Sequence, residues 1–102
     1  MFRQEKIKNL IQGLAAQFIT IESSNISLIT VTNCHIFDKE NKAVIYITVL
    51  PENKEKESLL FVKRLLGRMR EYIASKMKTK SIPFLEVQID IGEKNMRLIE
   101  NL

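Results

Sequence analysis

Apolar residues recur early in the chain at Ile7, Leu10, Ile11, Leu14 and Phe18, the i, i+3, i+4, i+7 spacing of one helical face. They predict an amphipathic helix over roughly residues 3–18, weakened slightly by Gly13. Ser23-Ser24-Asn25 then marks a loop, and residues 26–36, which include Leu28-Ile29-Thr30-Val31-Thr32, carry the β-branched composition of a strand. Phe37-Asp38-Lys39-Glu40-Asn41-Lys42 reads as a polar turn. Ala43 to Leu50, AVIYITVL, is apolar nearly throughout and too short for an independent helix, so it predicts a second strand antiparallel to the first.

Pro51 closes that strand, and a helix is expected to begin within residues 52–57, where carboxylates suit the positive end of the helix dipole. On a helical wheel centred on Leu65, the residues Val62, Leu66, Met69, Tyr72 and Ile73 share one arc, the expected core face. Lys63, Arg64, Arg68, Arg70 and Lys78 spread over the opposite side, with Gly67 in their midst. A glycine inside a helix costs about 1 kcal/mol relative to alanine, so its presence calls for a kink or for close approach of another backbone. Beyond Ser81-Ile82-Pro83, Leu85, Val87, Ile89 and Ile91 alternate with Phe84, Glu86, Gln88 and Asp90, predicting a half-buried third strand broken by Gly92. Residues 92–102 are expected to form a short C-terminal helix or a tail.

Composition bounds the answer. With 102 residues, 45% of them hydrophobic and 27% charged, the chain is expected to form a single domain, residues 1–102, with one modest core. Charges interrupt every apolar stretch, which excludes a membrane-spanning helix. The charged, amphipathic start MFRQEKIKNL lacks a signal-peptide pattern, so a cytoplasmic location is expected. The net charge of +4 is unevenly placed: of 16 Lys and Arg, seven lie between Lys63 and Lys80, against one of the 12 Asp and Glu. These seven, Lys63, Arg64, Arg68, Arg70, Lys76, Lys78 and Lys80, with Gly67 among them, form the candidate polyanion site. Without tryptophan and with only 7% aromatic residues, contact with nucleic acid is expected to rest on charge and backbone rather than on stacked bases.

Chemistry is sparse by comparison. No phosphate-binding loop, paired-carboxylate motif or nucleophile signature is present, so no catalysis, cofactor, small-molecule substrate or metal is expected. Cys34 and His35 adjoin on a strand and should point to opposite faces, Cys34 as a small buried hydrophobe and His35 at the surface. Glu52, Glu55 and Glu57 read as an exposed helix start, Met69 and Met77 as core, and Tyr72 as packed on the sheet.

The order of elements, helix, strand, strand, kinked or broken helix, strand, resembles a type II KH domain, an α+β fold with helices packed on one face of a three-stranded sheet. The chain from Leu28 onward resembles the ribosome-binding factor A family more closely. Ile29-Thr30-Val31-Thr32-Asn33 and Ala43-Val44-Ile45-Tyr46-Ile47 are similar to its first two strand motifs. Gly67-Arg68-Met69-Arg70-Glu71-Tyr72-Ile73 is similar to its glycine-led helix, and Lys80-Ser81-Ile82-Pro83-Phe84-Leu85 to its lead into the last strand, which Asp90 closes. The chain differs from the family pattern at Asn33, Val44 and Leu65, and it has no GxxG loop. The resemblance implies a monomeric, non-catalytic assembly factor that binds the small (30S) ribosomal subunit and its rRNA, assists 16S rRNA maturation and serves in cold adaptation. The residues alone leave two alternatives, a KH-like module for another RNA and a protein-interaction domain that turns its basic face to an acidic partner.

Overall fold

The computed structural model describes residues 2–23, 27–37, 39, 41–78, 82–93 and 95. Its elements are α1 (Phe2–Glu22), β1 (Leu28–Phe37), β2 (Lys42–Leu50), a 3-10 turn (Glu52–Lys54), α2 (Glu55–Arg64), α3 (Leu66–Met77) and β3 (Phe84–Ile89). The expected α+β order is observed, and α1 runs four residues past its predicted end at Phe18 because Ile19 is also buried.

The sheet has the order β1-β2-β3. β1 pairs antiparallel with β2 from Leu28↔Leu50 to Phe37↔Lys42, with a bulge between Val31 and Asn33. β3 lies parallel to β2 on its other side, from Lys42↔Phe84 to Ile47↔Ile89. A parallel neighbour cannot be reached by a tight turn, so the chain must cross over, and the crossover here is the α2–α3 pair.

The inward residues Cys34, Ala43, Ile45, Ile47, Val49 and Val87 meet Ile11, Leu14, Ala15, Phe18 and Ile19 of α1 and Val62, Met69 and Ile73 of α2 and α3. All three helices therefore cover the same face of the sheet. At the bulge, the Thr32 hydroxyl donates to Asp90 Oδ2 at 2.6 Å, and Asp90 Oδ1 accepts the Glu93 N–H at 3.0 Å. This tie fastens the first strand to the end of the last. It also ends β3: Ile91, expected to point inward, sits exposed in a helical turn at residues 91–93. Residue 94 and residues 96–102 lie outside the described part, and with them most of the expected C-terminal helix or tail.

Cys34 is fully buried while His35 is exposed and stacks on Phe37, as strand alternation requires. Burial pushes the Cys34 thiol from its ordinary 9.0 up to about 11, with the charge of Lys8 pulling weakly the other way. The fold therefore favours the neutral thiol. Its contribution is complete below about pH 9, where the unfolded thiol is also protonated, and is lost as pH rises through about 11. Denaturant melts should show stability falling by up to about 2–3 kcal/mol across that window beyond the fall seen in Cys34→Ala, which itself costs about 1–2 kcal/mol at neutral pH. Identical pH slopes for the two proteins would contradict this placement of the thiol.

Candidate nucleic-acid interface

The crossover helices do not form one rod. α2 ends at Arg64, Leu65 adopts φ −97° and ψ 1°, and its N–H bonds to Val62 O at 2.9 Å, a tighter turn than the α-helix makes. α3 restarts at Leu66, and the Met69 N–H returns to the Leu65 carbonyl at 2.8 Å. The break thus falls at Leu65, two residues before the glycine. Gly67 has no positive φ, and a Cβ built there would meet nothing within 4 Å. Its bare backbone is exposed near the start of α3.

This start is electrostatically unusual. The first turn of α3 holds no acidic residue, and no side chain caps its N-terminus. A helix N-terminus carries partial positive charge, yet three cations cluster around this one: Lys63 and Arg64 in the last turn of α2, and Arg68 in α3. Lys63 and Arg64 are exposed, and Arg68 is tied at 2.8 Å to Glu22, the last residue of α1. Cations at the negative end of α2 are favourable, whereas Arg68 at the positive end of α3 is not without its carboxylate partner. The arrangement suits an anion bound beside Gly67.

The other predicted residues separate from this cluster. α3 is 12 residues long, so Lys76 and Lys78 stand roughly 15 Å away at its far end. Lys76 lies 5.6 Å from the centre of the Tyr72 ring, and Lys78 holds the left-handed conformation (φ 54°) that terminates the helix, its N–H reaching Ala74 O at 3.3 Å. Lys80 lies outside the described residues.

Arg70 departs from the wheel's solvent face. Its guanidinium donates to Ile82 O at 2.6 Å and Pro83 O at 3.1 Å and lies 4.8 Å from the Phe84 ring centre. The core residues of the two helices, Val62, Met69 and Ile73, keep the arc the wheel gives them; Arg70, four residues after Leu66, stands at the edge of that arc, and its long side chain turns from there to the backbone that leads into β3. Tyr72 packs against the core cluster and reaches α1, its ring 5.6 Å from that of Phe18 and its hydroxyl 3.1 Å from Gln17 Oε1.

Among the described residues no cluster of His, Cys, Asp or Glu could hold a metal ion, and no helix is long and apolar enough to cross a membrane.

A small α+β module whose crossover helices place Lys63, Arg64 and Arg68 next to an uncapped helix start has a chemistry suited to a polyanion. Comparison with known proteins is more specific. The family model for ribosome-binding factor A matches residues 3–102, so the chain belongs to that family. It is 29% identical to the ribosome-binding factor A of Macrococcus caseolyticus over 107 aligned positions, covering 98% of this chain and 94% of that one. The crystal structure of the Thermus thermophilus protein superposes with a TM-score of 0.76 at 17% identity, over 84% of this chain and 93% of the other. Coordinates of the Thermus thermophilus factor fitted into a cryo-EM map of its 30S complex give 0.70 at 18% identity, over 79% and 88%.

The two arginines of α3 should behave differently on removal of charge. Arg70→Gln should cost about 1–3 kcal/mol of stability, because two strand-leading carbonyls lose a charged donor. Arg68→Gln should cost less than about 1 kcal/mol, its partner being an exposed ion pair. Chemical denaturation of both variants checks the contrast, and equal costs would contradict it.

Proposed function

We propose that this chain is a non-catalytic assembly factor of the type II KH kind that binds the small ribosomal subunit through its rRNA and assists maturation of 16S rRNA. In this reading the chain acts as one domain and a monomer in the cytoplasm, and it serves in cold adaptation. Family membership supports the ribosomal partner, and the 30S complex of the Thermus thermophilus relative supports the small subunit in particular.

The observation that carries the site is the uncapped start of α3 with Lys63, Arg64 and Arg68 around Gly67. An RNA phosphate placed beside Gly67 would meet helix N–H groups and flanking cations at once, with no side chain in the way. Lys76, Lys78 and Lys80 would follow the backbone further along, and neutralising each phosphate releases counterions. Arg70 would contribute by fixing the lead into β3.

Reversing Lys63→Glu and Arg64→Glu together should leave the fold intact, since both side chains are exposed, and should abolish co-sedimentation with free small subunits. Bulk RNA and mature ribosomes run alongside separate a dedicated subunit factor from a general RNA binder. A folded double variant that still pellets with subunits would remove this surface from the interface.

A further inference from the structure

The face of the sheet turned away from the helices holds features that the charge-based reading does not use. Strand pairing places Phe37, Lys42 and Phe84 in one row across β1, β2 and β3, and His35 one row further along the same face. Both phenylalanines are left in solvent, Phe84 at 70% exposure and Phe37 at 40%. Burying a phenylalanine is worth roughly 1.5–3 kcal/mol, so two exposed rings in one row on the sheet are a surface that no described element covers.

Each ring is backed on one side. The His35 ring lies 4.3 Å from Phe37 at an interplanar angle of 30°, and the Arg70 guanidinium lies 4.8 Å from the centre of Phe84. Arg70 is itself held by two carbonyls, so Phe84 is braced by a fixed cation. Between the rings, Lys42 is paired at 3.0 Å with Glu86, and the two charges cancel. A neutral, flat, aromatic surface edged by a cation complements the faces of nucleobases, which are uncharged, and not their phosphates.

We propose that the open sheet face is a stacking platform for unpaired RNA bases, Phe37 and Phe84 each receiving one base on the ring side left free. The inference rests on the RNA-binding reading above and extends it: phosphates lie along the helices, and bases of an adjoining single-stranded stretch lie on the sheet. Arg70 links the two, belonging to α3 while touching Phe84. The rings stand on strands two spacings apart, roughly 10 Å, a gap that a short run of extended single strand spans.

Binding of a labelled single-stranded oligouridylate tests the platform, with duplex RNA of the same length and heparin as controls that carry charge without free bases. Phe37→Leu and Phe84→Leu keep apolar side chains at both sites but remove the stacking rings. Each should weaken oligouridylate binding by at least about 5-fold, with duplex and heparin binding unchanged. The chain has no tryptophan, so Phe84→Trp supplies a single reporter whose fluorescence oligouridylate should quench and heparin should not.

Unchanged oligouridylate affinity in the leucine variants, or no quenching in Phe84→Trp, overturns the platform. So does a parent protein that sediments as a dimer until Phe84→Leu releases it, since a second copy would then be the occupant. The subunit reading fails separately: if ring-dependent oligouridylate binding is present but small subunits do not pellet with the protein, the platform stands and the ribosomal partner falls.

Discussion

Everything in this fold depends on the burial of β2. Its inward residues Ala43, Ile45, Ile47 and Val49 lie in the helix-covered core, and even Val44 and Thr48 on the outer face are buried between the flanking strands. A strand so apolar must be central. One neighbour follows by a short turn and is antiparallel, whereas the other is parallel and needs a crossover. The crossover must cover the inner face, which puts α2 and α3 beside α1 and, among the described residues, leaves the outer face of the sheet without a helix. Both surfaces considered for RNA, the basic helix pair and the aromatic sheet face, follow from that single strand.

The helix pair gains its electrostatic character from where the break falls. A turn at Leu65 ends one dipole and begins another within a few residues, so the favourable cations of the α2 C-terminus stand next to the positive N-terminus of α3. An unbroken helix would carry the same side chains without the exposed helix start. Gly67 keeps that start open, and Glu22 offsets only Arg68 among the cations there.

Much of this is legible in the sequence, for identifiable reasons. The strands and α1 declare themselves because one face is apolar at a fixed period, and the cations because charge density survives any error in geometry. The wheel misplaces Arg70 because that residue borders the core arc beside Leu66, where a long side chain can turn inward to backbone carbonyls; the break itself goes unmarked, since Leu65 is a good helix former and the glycine that draws attention lies two residues beyond it. The outer aromatic face escapes a linear reading for a different reason. Phe37 and Phe84 are remote in the chain and unremarkable singly, and only strand pairing sets them in one row around Lys42. A low aromatic content says nothing about whether the few rings present share a surface.

Crosslinking from the start of α3 tests the central claim most directly. Replacing the native thiol by Cys34→Ala and introducing Gly67→Cys leaves a single exposed attachment point for a short photo-crosslinker, at a position where an added side chain meets no neighbouring atom. On free small subunits, illumination should join this position to 16S rRNA in good yield, and excess unmodified protein should suppress the product. Crosslinks to a ribosomal protein alone, or none from a variant that still pellets with subunits, would contradict an interface centred on the break between α2 and α3.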